Sequence, residues 1–299
     1  MASIQARIAR KMLQVQPYGW AKGSLDEQRS RQEKTARFFR IPGGIRFEPI
    51  HFNAMDAEWI TCAAAQEGVI LYLHGGAYAL GSIHVYQEYL SRLALATQRK
   101  VLAINYRLAP EHPFPAALED AVAAYRWLLS AGIDSSRIVI AGDSAGGGLA
   151  LAALVFLRDA CVPLPSGAVC FSPWLDVSLS GDSVREKAAV DPILRAADLQ
   201  KYAGYYAGTH DLKSPLISPL FANLAGLPPL LVQVGGDEIL LDDSIRLSKV
   251  AHQAGVDITL EVLDGLFHVF QIIPFLPETS MALEHVRDFL NRIAGNHAA

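Results

Sequence analysis

Residues 138–157 read IVIAGDSAGGGLALAALVFL, twenty nearly uninterrupted apolar or small residues. The run is long enough to cross a bilayer, yet it carries Asp143, a charge costly at mid-membrane, beside a group of glycines that suits a turn. A buried strand, a sharp turn and a buried helix satisfy the same composition. The centre of the run is Gly142-Asp143-Ser144-Ala145-Gly146, a G-x-S-x-G placed directly after the apolar stretch RIVIAG and directly before a small-residue helix. Such a turn holds its central residue in strained backbone, and only small flanking residues let the chain pass. Ser144 is thereby presented at a helix N-terminus as a candidate nucleophile.

The rest of the chain supplies the sheet that such a turn needs. From about residue 45, short β-branched runs alternate with helical patterns, which predicts a mostly parallel α/β sheet covered on both faces. The expected strands are residues 45–52, 57–63, 68–74, 100–106, 137–142, 167–172, 230–235 and 258–263, with helices over 115–131, 241–254 and 277–293. The first two strands are joined by a short connection and are expected to pair antiparallel at one edge. Two segments break the alternation. Residues 1–40 read as an amphipathic helix rich in Arg and Gln, and 178–226 is a long insertion between two strands. Together they are expected to form a helical cap over the carboxyl ends of the strands, where open α/β sheets bind ligands. The catalytic core is then 41–177 and 227–299.

Composition excludes several classes. A hydrophobic fraction of 51% against 19% charged is that of a globular chain, and 26 basic against 30 acidic residues leave a net charge of −4 with a pI near 6.1. That balance offers no footprint for a nucleic-acid backbone. Cys62, Cys161 and Cys170 form no CxxC pair, and the first twenty residues contain no continuous apolar stretch of signal-peptide length, so a cytoplasmic, reducing setting is expected. No HExxH, EF-hand loop, P-loop or GxGxxG occurs, so neither a metal nor a cofactor is expected.

A serine nucleophile needs a base, the base needs a carboxylate, and the developing oxyanion needs backbone donors. The chain order Ser, Asp or Glu, His applies when the nucleophile lies on a strand-to-helix turn of this kind. Among the histidines after Ser144, His268 lies in the loop GLFHVF just beyond a strand. His210 belongs to the insertion, His252 and His285 to helical patterns, and His297 to the terminal tail. His268 is therefore the expected base. Asp237 follows the strand LLVQVG and is the expected carboxylate, with Asp242 or Asp264 as alternatives. The loop His74-Gly75-Gly76-Ala77 after the strand VILYL lets bare backbone approach a substrate, so Gly75 and Gly76, with Ala145 after the nucleophile, are the expected oxyanion donors. His74 reads as a brace for that loop.

These residues, with YLHGGAY (72–78), NYRLAPEHPFPAALED (105–120), GDSAGGGLA (142–150), SPWLD (172–176), Asp191-Pro192 and GLPPLLVQVGGDEILLDD (226–243), resemble the hormone-sensitive-lipase-like branch of the α/β-hydrolases, to which many bacterial carboxylesterases belong. The resemblance spans most of residues 68–275. It implies an eight-stranded sheet, a helical cap and cofactor-free hydrolysis of short to medium acyl esters. By position it matches Ser144, Asp237 and His268 to the family triad and Gly75, Gly76 and Ala145 to the oxyanion donors. Ala77 stands where the family usually has a third glycine. NYRLAPEHPFPAALED is expected to brace the oxyanion loop. Loops of this small-residue type are associated with esters of branched and tertiary alcohols. An amidase or deacetylase would use the same triad, whereas a silent ligand-binding protein on this scaffold, as in some plant hormone receptors, would lack a triad member. A small-molecule ester is the expected partner, and the chain is compatible with a homodimer.

Overall fold

The computed structural model describes residues 2–14 and 21–296. Eight strands form one sheet: β1 (Ile45–Phe52), β2 (Met55–Cys62), β3 (Val69–Leu73), β4 (Lys100–Ile104), β5 (Ile138–Asp143), β6 (Gly167–Phe171), β7 (Leu230–Gly235) and β8 (Ile258–Leu263). Their order is β1-β2-β4-β3-β5-β6-β7-β8. The β1/β2 and β2/β4 pairs are antiparallel and every other pair is parallel, as the short first connection predicts. The helices are α1 (Ile4–Gln14), α2 (Leu25–Ala36), α3 (Ile83–Thr97), α4 (Ala116–Ser130), α5 (Ala145–Asp159), α6 (Ser183–Glu186), α7 (Ala196–Ala207), α8 (Leu241–Gln253) and α9 (Pro277–Asn296).

The two-residue side-chain period of a strand divides the core into two layers. Leu71, Leu102, Ile140, Cys170 and Val232 point to one face, under α4, α5 and α8. Their neighbours Ile70, Tyr72, Val101, Val139, Val169 and Leu231 point to the other, under α3 and α9. Both faces of the central strands are buried, so these strands read as continuous apolar runs rather than alternating ones. Helix α5 goes further. Twelve of its fifteen residues are buried, so it presents no polar stripe and its amphipathic periodicity is lost.

The expected single helix over 1–40 is two helices, with residues 1 and 15–20 of that span outside the described residues, as is His297. Ala6 and Ala9 of α1 pack on Leu266, Phe267 and Phe270 of the loop after β8. Helix α2 is started by a capping box, in which Ser24 accepts from the Glu27 N–H and the Glu27 carboxylate accepts from the Ser24 N–H. The two non-alternating segments meet. The Tyr202 hydroxyl on α7 bonds Gln28 Oε1 on α2, and Arg10 on α1 donates to the Val190 carbonyl at 3.2 Å. Gln32 of α2 and Leu199 of α7 line the cavity that holds Ser144.

Candidate active site

The turn from β5 into α5 holds Ser144 at φ +51° and ψ −120°, a conformation that costs an L-residue about 1–3 kcal/mol and survives only where the surroundings fix it. The surroundings are backbone. A Cβ on Gly146 would lie 2.0 Å from the Leu73 carbonyl oxygen, and one on Gly142 would lie 2.4 Å from that of Gly146. The two outer glycines of the motif are thus steric requirements of the turn. Ser144 N–H donates to the Phe171 carbonyl at 2.8 Å, tying the apex to β6.

His268 stands in the loop after β8, 5% exposed, with Nε2 2.9 Å from Ser144 Oγ and Nδ1 2.9 Å from Glu238 Oε1. The other carboxylate oxygen of Glu238 accepts from Ser172 Oγ at 2.7 Å and from the Gly235 N–H at 2.9 Å. Ser172 Oγ in turn accepts from the Val269 N–H at 3.1 Å, so one hydroxyl fixes both the carboxylate and the residue after the histidine. Nδ1 is the donor toward Glu238, which leaves Nε2 free to accept from the serine. Burial by itself would lower the His268 pKa. The charge and hydrogen bond of Glu238, with the more distant charges of Asp191 and Asp143, outweigh it and hold the pKa above the ordinary imidazole value.

Asp237, expected as this carboxylate, is one residue away and faces elsewhere. Its oxygens are ion-paired to Arg10 at 2.7 Å and to Lys187 at 3.5 Å. The reason is local. Gly235 and Gly236 let the turn press against the loop after β8, where a Cβ on Gly235 would lie 2.6 Å from the Leu266 carbonyl oxygen, and Asp237 N–H donates to that same carbonyl at 2.9 Å. That bond sends the Asp237 side chain toward α1 and the Glu238 side chain back toward His268. Neither alternative is bonded to His268: Asp242 accepts from the Ser183 N–H at 2.8 Å, and Asp264 is exposed. Neighbouring Asp243 is buried on the N–H groups of Leu175 and Asp176, and burial raises its pKa to about 8.

The oxyanion loop needs a one-residue correction. Gly75 N–H is already committed, donating to Asp143 Oδ1 at 2.9 Å and to the Tyr86 hydroxyl at 3.1 Å. The N–H groups of Gly76 and Ala77, and of Ala145 at the first turn of α5, have no acceptor among the described residues. Gly76 and Ala77 line the same cavity as Ser144 and His268, and Gly75 does not. Gly76 is at φ +113°, where a Cβ would lie 2.3 Å from the Leu80 carbonyl oxygen, and Ala77 is itself left-handed at φ +53°. The loop is braced as expected. His74 Nδ1 donates to the Gly75 carbonyl at 2.8 Å, Tyr106 donates to the His74 carbonyl at 2.7 Å, and Ala109 N–H donates to the Tyr78 carbonyl at 2.9 Å. Burial lowers the His74 pKa to about 4, so this histidine is neutral at working pH.

Ser144 and His268 open into a cavity of about 200 Å³ lined mainly by Ile193, Leu194, Leu199, Val269 and Ile272. A second cavity of about 180 Å³ shares Gly76, Tyr86, Gln32 and Ile272 with it and runs beneath α2 and α3. A larger groove of about 640 Å³ lies between Phe114, Trp127 and Phe156, and its Ser130 hydroxyl donates to the Trp127 carbonyl at 2.8 Å, with no histidine lining the groove to activate it. Among the described residues no group of three or more His, Cys, Asp or Glu is placed to hold a metal ion, and no helix is long and apolar enough to cross a membrane.

A strained serine, a histidine bridged to a carboxylate and unpaired backbone donors on an eight-stranded sheet define a serine hydrolase. Comparison with known proteins narrows the class. The family model described as alpha/beta hydrolase fold matches residues 70–272. An acetyl-hydrolase of Streptomyces hygroscopicus is 41% identical over 99% of both chains, and an esterase of Acinetobacter venetianus is 37% identical over 86% of both. A crystal structure of an esterase from the bacterial hormone-sensitive lipase family superposes with a TM-score of 0.93 at 43% identity, covering 98% of this chain and 99% of the other. The structure of EstE5 gives 0.95 at 43%, covering 98% of this chain and 100% of the other. The chain belongs to the α/β-hydrolase family, in its hormone-sensitive-lipase-like branch of carboxylic ester hydrolases.

Proposed function

We propose that the chain hydrolyses short-acyl carboxylic esters through an acyl-enzyme, with Ser144 as nucleophile, His268 as base and Glu238 as the carboxylate that orients it. The observation that carries this is the unbroken line from Ser144 Oγ to His268 to Glu238, each link 2.9 Å. His268 Nε2 takes the Ser144 proton as Oγ bonds to the ester carbonyl carbon. The oxyanion accepts from the N–H groups of Gly76, Ala77 and Ala145. The tetrahedral adduct collapses, the C–O bond to the alcohol breaks, and His268 returns the proton to the departing alkoxide. Water, deprotonated by the same nitrogen, then attacks the acyl-enzyme and frees Ser144 with a carboxylic acid as product. Glu238 stabilises the transient imidazolium without taking its proton.

The small apolar cavity walled by Ile193, Leu194 and Leu199 favours short acyl chains, and the relative named acetyl-hydrolase supports the acetyl end of that range. The walls come from 178–226, which with α1 and α2 serves as the cap. Tyr78 leaves the loop open for branched and tertiary alcohols, since it turns into the core and stacks on Tyr206 with ring centroids 3.6 Å apart. A cytoplasmic setting fits the three free thiols. The test is a hydrolysis panel of p-nitrophenyl esters from acetate to decanoate, with p-nitroacetanilide and tert-butyl acetate added and Ser144→Ala as control. Turnover greatest on the short esters and abolished in the variant is expected. Activity surviving in Ser144→Ala contradicts the mechanism, and a preference for the anilide moves the activity to amides.

A further inference from the structure

The residue before the nucleophile, Asp143, stands outside the hydrogen-bonded line from Ser144 to Glu238, yet it is among the most deeply buried carboxylates of the molecule at 2% exposure. On β5 the side chains of Val139, Ala141 and Asp143 point to the same face, the layer under α3. There Asp143 meets Tyr72 of β3 and Tyr86 of α3. The Tyr72 hydroxyl donates to Oδ1 at 2.7 Å and the Tyr86 hydroxyl to Oδ2 at 2.8 Å, while Gly75 N–H donates to Oδ1 at 2.9 Å. An isolated carboxylate in such a place costs several kcal/mol, so its retention requires all three donors.

One of those donors belongs to the oxyanion loop. Gly75 is pressed so closely onto the carboxylate that a Cβ there would lie 2.2 Å from Asp143 Oδ2 and 2.9 Å from the Tyr86 hydroxyl. The packing of the carboxylate therefore requires a glycine at this position. With the first N–H of the loop turned down into the protein, the chain reverses through Gly76 at φ +113° and Ala77 at φ +53°, and the next two N–H groups are left unpaired beside Ser144. The nucleophile and its oxyanion donors are thus fixed to one another through a single side chain, because Asp143 is covalently next to Ser144 and hydrogen-bonded to Gly75.

We propose that Asp143 is the positioning residue of the oxyanion hole: its carboxylate, held by Tyr72 and Tyr86, anchors Gly75 so that the N–H groups of Gly76 and Ala77 face the tetrahedral adduct on Ser144. Asp143 lies at the wall of the cavity that holds Ser144, but both its carboxylate oxygens are taken by Tyr72, Tyr86 and Gly75, so it acts through the loop and not on the reacting atoms. The inference rests on the serine-hydrolase reading above. It differs from a purely structural role in what its loss changes. Donors displaced from the oxyanion weaken binding of the transition state and not of the ground-state ester, so kcat falls while KM holds.

The test compares the full-length protein with Asp143→Asn, Asp143→Ala and Tyr86→Phe. Two quantities are read: kcat and KM on p-nitrophenyl acetate, and the inhibition constant of a short alkyl trifluoromethyl ketone, whose adduct with Ser144 carries an oxyanion. Removing an oxyanion donor outright costs about 10²- to 10³-fold, and displaced donors cost less. Asp143→Ala is expected to lower kcat roughly 100-fold and Asp143→Asn roughly 10-fold, since the amide oxygen can still accept from Gly75. In each the ketone should bind more weakly by a similar factor, with KM within about threefold. Tyr86→Phe leaves the carboxylate in place and removes one arm, with a several-fold loss in the same pattern. It decides the matter if circular dichroism shows the Asp143 variants unfolded. A folded variant set with unchanged kcat and ketone affinity, or one whose loss lies in KM alone, overturns the proposal. An inactive parent protein overturns the hydrolase reading and this proposal with it, whereas an active parent with indifferent variants overturns only this one.

Discussion

In the turn after β5 only one residue can occupy the apex, whereas in the turn after β7 two neighbouring carboxylates compete for one histidine. At the first turn, backbone atoms exclude any Cβ from positions 142 and 146, so the sequence spacing fixes Ser144 by sterics alone. At the second, Asp237 and Glu238 are both ionisable, both follow the strand and both find partners. Asp237 takes Arg10 and Lys187 near the surface, and Glu238 takes His268, Ser172 and Gly235 in the interior. A position enforced by exclusion is readable from its own residues. A position chosen between partners depends on elements remote in the chain.

The comparison can be broken in several ways. The largest effect is expected at the first turn, where Ser144→Ala should lower kcat by about 10⁴- to 10⁶-fold while the far-UV circular dichroism and melting temperature stay those of the parent. A variant that kept one-tenth of the activity would remove the elbow from the mechanism. The pH dependence is next. His268 must be neutral to accept the serine proton, and Glu238 holds its pKa above the ordinary imidazole value of about 6.5. Protonation occurs below that pKa, so log(kcat/KM) should fall toward a unit slope on the acid side, with its inflection above about 6.5. An inflection below 6 would mean that burial wins over the carboxylate.

The smallest effect belongs to the surface partner of the second turn. The side chains of Asp237 and Arg10 are each 22% exposed, and such pairs contribute about 1 kcal/mol or less. Asp237→Asn should lower the melting temperature by about 2 °C and leave kcat within roughly threefold. A fall of a hundredfold or more in kcat would return Asp237 to the catalytic role expected from the sequence.

The same distinction explains what the sequence yielded. The sheet was legible because buried parallel strands are apolar on both faces, and β1, β7 and β8 fall on their expected residues. Ser144 was legible from its glycines, and His268 from its place beyond a strand and from the helical or terminal positions of its rivals. The two segments outside the alternation were legible as breaks in it, but not their contact, in which Tyr202 meets Gln28 across 174 residues. Glu238 was missed because adjacency to the strand favoured Asp237, and the Gly235-Gly236 approach that turns one side chain out and the next one in is visible only with the β8 loop in place. Gly75 was taken as an oxyanion donor because nothing local shows that its N–H is claimed by Asp143 and Tyr86. A pair of adjacent glycines after a strand, followed by Asp-Glu, is the signal that either carboxylate could turn inward.

Glu238→Gln tests the central claim most directly, with Asp237→Asn measured beside it. Glutamine keeps the shape but loses the charge. If its oxygen stays on Ser172 and Gly235, its NH₂ faces His268 Nδ1 and stabilises the wrong tautomer, as in the Asn variant of the serine-protease triad. The expected result is a fall in kcat of about 10²- to 10⁴-fold for Glu238→Gln, against no more than about threefold for Asp237→Asn. A Glu238→Gln protein that is folded and hydrolyses p-nitrophenyl acetate at the parent's rate would contradict the account.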